Sequence, residues 1–205
     1  GNHNLDVDDY YDHTNSNLRG VNMFLVAPTE DGLTDGVSIN SDSDVSVVSG
    51  TEHGISINTG GKVDVDAANV NIDSFKAAIW VEKNGDELNK GEVYVNASGD
   101  VYLKSKDRFA INNESTNNGI VDVRGNNITI ISESMPAIKV GETIYSEGYD
   151  GIVNISGEKI TLKGASHEIV DGWQQRASVL YASGGTINVD AADSIMVTDT
   201  AKVGG

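Results

Sequence analysis

The chain has 205 residues, with 14 Lys and Arg against 31 Asp and Glu, and a formal net charge of -17. That balance excludes the cationic surface that nucleic-acid phosphates require and disfavours docking on anionic lipid. With no cysteine there is neither a disulfide framework nor a thiolate metal site, and no apolar run approaches the roughly 18 residues that span a bilayer.

In chain order, residues 1–17 (GNHNLDVDDYYDHTNSN) are polar and read as an N-terminal tail or cap. Asp6, Asp8, Asp9 and Asp12 supply oxygen ligands of the kind hard cations take. Without the glycine turn and terminal glutamate of a calcium loop, they read as solvated tail rather than as a metal site. Residues 18–26 (LRGVNMFLV) form the first apolar run and read as a partial rung or cap, since an open end would expose unpaired strand edges. From there to residue 205 one architecture repeats, and a single domain over 18–205 is expected.

Six segments superimpose: GVSINSDSDVSV from Gly36, KVDVDAANVNI from Lys62, EVYVNASGDVYL from Glu92, IVDVRGNNITI from Ile120, IVNISGEKITL from Ile152 and TINVDAADSIMV from Thr186. Each alternates apolar and polar residues, passes a small residue (Ser41, Ala67, Ala97, Gly125, Gly157 or Ala191), turns, and alternates again. Period two marks a strand with one buried face, and the inward set is almost entirely β-branched, the type that packs best on a pleated surface. The steps from Val37 to Val63, Val93, Val121, Val153 and Ile187 are 26, 30, 28, 32 and 34 residues, whereas the first strand leads the second by seven or eight. Two fixed strands and one corner that tolerates insertions follow from this. A third strand is visible at Ile55–Ile57, Ile79–Val81, near Ile111 and at Ile138–Val140. In the fifth repeat Ile169 and the stretch 179–181 compete for that place, with 163–178 as an inserted loop.

A meander of hairpins has no such period. Stacked repeats put valine on valine in parallel ladders, with the remaining sides of each coil as the crossover that parallel strands need. One repeat cannot bury its apolar side alone, but a stack shares a continuous core. The sequence therefore predicts an all-β fold: a single parallel β-helix of about six to seven rungs, three strands per rung, with loop insertions. The pattern runs on to the last residues, so a piece of a longer protein is expected.

The phrases VLYASGGTINVDAADSIMVTDTA (179–201), AAIWVEK (77–83) and PAIKVGE (136–142) resemble passenger regions of bacterial autotransporter adhesins. The likeness is one of repeat style and covers roughly residues 36–203. It implies a right-handed β-helix displayed at a bacterial cell surface or secreted, carried out by an outer-membrane barrel that these residues do not include. It also implies a host-surface protein or glycan as partner. Likeness of fold style warrants a class of function, not a ligand.

No enzyme is expected. The outward positions of the first strand are Ser38, Asp64, Tyr94, Asp122, Asn154 and Asn188, which place Asp64 and Asp122 two rungs apart with Tyr94 between them. Glycoside hydrolysis needs two carboxylates at a defined separation, and β-helix lyases need carboxylates with a cationic base. Arg124 and Lys139 read as lying on different faces, and Arg176 lies in the inserted loop. No cofactor motif occurs. His3, His13, His53 and His167 are scattered without a second ligand and read as surface residues. The candidate binding residues are instead aromatic: Trp80, Tyr94 and Tyr102, which point outward, and Trp173 with Tyr181, which flank the insertion. Such side chains stack on sugar rings or anchor a protein partner. The loops at 83–91, 141–151 and 163–178 are the other candidate recognition surfaces.

Overall fold

The protein is seen in a computed structural model that describes residues 3–6, 21–23, 36–57, 61–82, 90–116, 118–141, 148–165 and 178–200. Its described secondary structure is all strand: β1 (His3–Asp6), β2 (Val21–Met23), β3 (Gly36–Asn40), β4 (Val45–Ser49), β5 (Ile55–Ile57), β6 (Gly61–Ala67), β7 (Val70–Ser74), β8 (Ile79–Val81), β9 (Gly91–Ala97), β10 (Val101–Ser105), β11 (Ile111–Asn113), β12 (Ile120–Ser132), β13 (Ile138–Val140), β14 (Ile152–Gly164), β15 (Leu180–Ala182) and β16 (Thr186–Asp199).

Every described pairing is parallel, and each joins a strand to its counterpart one repeat away. The chain is a β-solenoid. Its first face stacks β3, β6 and β9 with the leading halves of β12, β14 and β16, and its second stacks β1, β4, β7 and β10 with the trailing halves. Because those three long strands run through the corner, the two faces form one ten-stranded sheet. The third face is a separate sheet in the order β15-β13-β11-β8-β5-β2. Four coils, starting at Gly36, Gly61, Gly91 and Ile120, carry all three faces without a break among the described residues. A fifth, from Ile152, reaches its third face in β15, and partial coils flank the stack. Complete turns among the described residues are thus fewer than the six to seven rungs expected, because there β1 with β2 and β16 each show only two faces.

The ladders are those the alternation required. Val65 pairs with Val95 and Val95 with Val123, and all three are fully buried. One cluster of buried aliphatic residues runs from Val45 to Val179. Each such side chain contributes about 1.5–3 kcal/mol when removed from water.

The corner between the first and second faces explains the small residues. A Cβ added to Gly157 would lie 2.7 Å from the Gly125 carbonyl oxygen below it, so the close stacking of coils leaves no room there. Beside this corner an exposed side-chain ladder alternates carboxylate and amide. Asn69 Nδ2 donates to Asp44 Oδ1 at 2.7 Å, the Asp100 amide donates to Asn69 Oδ1 at 2.7 Å, and Asn127 Nδ2 donates to Asp100 Oδ1 at 2.7 Å. Alternation keeps like charges from facing each other.

Serines close the second face. Ser49, Ser74, Ser105 and Ser132 occupy inward positions and are buried, where an apolar residue would extend the pattern. Their hydroxyls serve the next turn: Ser49 Oγ accepts from the Glu52 amide at 3.0 Å, Ser105 Oγ from Arg108 at 3.0 Å and Ser132 Oγ from Met135 at 2.9 Å, while Ser74 Oγ donates to the Lys76 carbonyl at 2.8 Å. Insertions are not confined to one corner. The stretch between β14 and β15 lies between the second and third faces, while those after β8 and β13 lie between the third and first. In the fifth repeat Leu180 takes the third-face place, paired with Ile138; Ile169 lies outside the described residues.

Candidate functional site

Strand alternation lays the first face out as a grid of outward side chains. Its central column is Ser38, Asp64, Tyr94, Asp122, Asn154 and Asn188, in register from coil to coil. Lys62 and Glu92 flank it on one side, Asp66, Asn96 and Arg124 on the other. Asp64 and Asp122 are two coils apart with Tyr94 between them, as the sequence indicated. Arg124 and Lys139 lie on different faces as expected, but the reading that no cation groups with these carboxylates fails: Arg124 grips Asp122 through Nε at 2.7 Å and a terminal nitrogen at 3.0 Å, and Lys62 pairs with Asp64. The sequence reading missed that a residue two positions along a strand shares its face, which brings each cation to its carboxylate. Asp122 is only 7% exposed, a burial that the two-pronged guanidinium contact compensates.

Tyr94 is the centre of this network. Its hydroxyl donates to Glu92 Oε2 at 3.0 Å, Lys90 Nζ lies 2.7 Å from Glu92 Oε1, and Lys62 Nζ sits 4.9 Å from the Tyr94 ring centroid. Burial, then the hydrogen bond to Glu92, then the negative charges of Glu92, Asp122 and Asp64 push the phenol up to about 12. For Glu92 burial opposes ionisation, but hydrogen bonds from Lys90 and Tyr94 and the charges of Lys90 and Lys62 prevail and hold its carboxyl below the ordinary range. Tyr94 is therefore a hydrogen-bond donor across the physiological range and not a base. Its folded value exceeds the ordinary 10.0, so the stability it adds is complete below pH 10 and disappears as pH rises toward 12. In a spectrophotometric alkaline titration one tyrosine should ionise with an apparent value near 12, and Tyr94→Phe should remove that phase.

Beside this grid the first corner forms a shallow open groove of about 460 Å³, floored by Ala97, Gly125 and Gly157 and walled by Arg124 and Asp190.

The other aromatic candidates are elsewhere. Tyr102 lies half-buried on the second face between Asn71 and Thr129. Trp80 lies on the third face, and its ring is not open: its centroid is 4.3 Å from that of His53 and its Nε1 donates to Glu114 Oε2 at 3.3 Å. Tyr181 shares that face, in register with Lys139. Trp173 lies outside the described residues. Among the described residues the aromatic candidates are thus distributed over three faces and not gathered into one patch. His53 is not a surface residue. It is 6% exposed, and its Nδ1 accepts from the Ala77 amide at 3.1 Å, because the turn before β5 tucks it against the coil above.

The outward side of the third face departs from alternation in three of its strands: Ser56, Asn112 and Lys139 occupy outward positions yet are 0%, 8% and 6% exposed, whereas Trp80 of β8 keeps the alternation. No helix among the described residues is long and apolar enough to cross a membrane, which says nothing about strands. No protein-family model, no curated protein and no solved structure matches the chain.

Proposed function

We propose that the chain is a non-enzymatic segment of a bacterial surface or secreted adhesin, of the autotransporter passenger type, whose first face binds a hydroxyl-rich host or matrix ligand. The single observation that carries this reading is the Tyr94 network. An aromatic ring with its protonated phenol, three carboxylates (Asp64, Glu92 and Asp122) and three cations (Lys62, Lys90 and Arg124) gather on one face of a parallel sheet. Donors and acceptors around an aromatic ring suit sugar hydroxyls, and strands hold such groups more accurately than loops do. The repeat style of residues 179–201 supports surface display.

The test is binding to a glycan array and to matrix proteins, with the parent compared against Tyr94→Ala and Arg124→Ala. Tyr102→Ala, on another face, is the control. Loss of an anchor contact should weaken binding about tenfold or more. Binding unaffected by both first-face changes would remove this face from consideration.

A second reading, a carbohydrate-active β-helix, draws support from Arg124 beside Asp122 and Lys62 beside Asp64, since carboxylates with adjacent cations are what lyase chemistry uses. Turnover of acidic polysaccharides that is abolished by Asp122→Ala would favour it. A chain with neither binding nor turnover would serve as a structural stalk.

A further inference from the structure

On the outer side of the third face, Asn112 of β11 and Lys139 of β13 are direct neighbours in the parallel register. Both side chains are shielded from water, at 8% and 6% exposure, although their positions point away from the core. Glu114 joins them: Lys139 Nζ lies 2.6 Å from Glu114 Oε1, and Asn112 Nδ2 donates to the same oxygen at 3.1 Å. Trp80 Nε1 holds the other carboxylate oxygen at 3.3 Å, and the Phe109 ring centroid lies 5.1 Å from Nζ. Among the described residues, Asn112 Oδ1 is one of two buried side-chain atoms with no hydrogen-bond partner.

An amine, a carboxamide and a carboxylate bonded to both therefore share a nearly dry site. We infer that Lys139 and Asn112 become joined by an intramolecular isopeptide bond, with Glu114 as the proton carrier. Glu114 takes a proton from the Lys139 ammonium along their contact. The freed lone pair on Nζ then forms a bond to Asn112 Cγ, the carbonyl electron pair moves onto Oδ1, and Oδ1 receives the proton from Glu114. A half-turn of the amide presents the partnerless Oδ1 to that proton. Glu114 next relays a proton from Nζ to Nδ2. The Cγ–Nδ2 bond breaks with its electrons on nitrogen, the carbonyl re-forms, and the proton shed by Oδ1 leaves with the ammonia as ammonium. Atoms and charge balance without an oxidant or a further reactant. Fixed neighbours in a parallel ladder supply the proximity that makes such an attack effectively unimolecular. The placed carboxylate supplies the acid and base, and exclusion of water strengthens both effects. The product is a covalent staple between the third and fourth coils.

The test is intact mass spectrometry and tryptic mapping of the purified full chain. The expected mass is one ammonia below that of the sequence. The digest should contain residues 109–124 linked to residues 125–159, uncleaved at Lys139. Lys139→Arg keeps the cation but removes the nucleophile, and should restore the full mass and the separate peptides. Glu114→Gln should leave the parent chemistry slow or absent while Asn112 and Lys139 remain. Full mass in the parent, or ammonia loss traced to a succinimide at Asn118–Gly119 with residues 109–124 unlinked, would overturn the inference.

Discussion

Val95→Asp should cost several kcal/mol and leave the chain largely unfolded, whereas Tyr94→Asp, one residue earlier, should be mild. Val95 is fully buried, with Val65 below it and Val123 above, so a carboxylate there meets only aliphatic side chains. A buried polar group without a partner costs about 1–3 kcal/mol, and an ionised one more. Native proteins hold only about 5–15 kcal/mol in total. At position 94 the new carboxylate faces solvent between Asp64 and Asp122, so the penalty is like-charge repulsion of about 1 kcal/mol or less. Thermal and denaturant melts followed by circular dichroism provide the comparison. Equal losses would mean that the inward and outward sets have been exchanged.

The second large effect is less intuitive. Asn113→Val should destabilise by about 2–5 kcal/mol although it makes the core more apolar. Position 113 lies in the inward third-face column between Val81 and Val140 and is fully buried. The asparagine amide donates to the Gly119 carbonyl at 2.8 Å and the Ile152 carbonyl at 3.1 Å, and its oxygen accepts from the Ser115 amide at 3.1 Å. It is the internal fastener of the segment that leads from β11 into β12, and also holds the start of β14. Valine fills the space and strands three backbone groups. Denaturant unfolding should show a lower midpoint, and hydrogen exchange should show lost protection at Ser115. A variant as stable as the parent would show that those groups find other partners.

These two positions mark the boundary of what the sequence discloses. The valine and isoleucine columns, the outward column through Tyr94 and the small corner residues all follow from period two plus a repeat, so the fold and the layout of the first face were legible. The serines at the end of the second face recur, since VSVVS, VNIDS, VYLKS and ITIIS end alike, but their burial was not legible: serine at a strand end reads as surface until the turn that uses its hydroxyl is known. Asn113 and His53 were not. Each is a polar residue whose burial is satisfied by backbone groups of another turn or coil, Gly119 and Ile152 for one and Ala77 for the other, and the varying steps between repeats hide that proximity. The buried outer side of the third face escaped for a related reason. Alternation says which way a side chain points, and Lys139 does point outward, but not whether other groups, here Glu114 and the Phe109 ring, wait there.

The positions of the stretches between β8 and β9, between β13 and β14 and between β14 and β15 have a consequence for how such a chain can change. Lengthening a loop adds only about 0.6 kcal/mol of closure entropy per doubling, and among the described residues those stretches hold no strand of the ladders that join one coil to the next. The first corner has far less freedom, because β12, β14 and β16 pass through it unbroken and it takes up a single extra residue only as a local register shift, between Gly157 and Lys159 where β14 meets β16. New sequence can therefore be grafted at two seams of the rod while the third stays fixed as its spine.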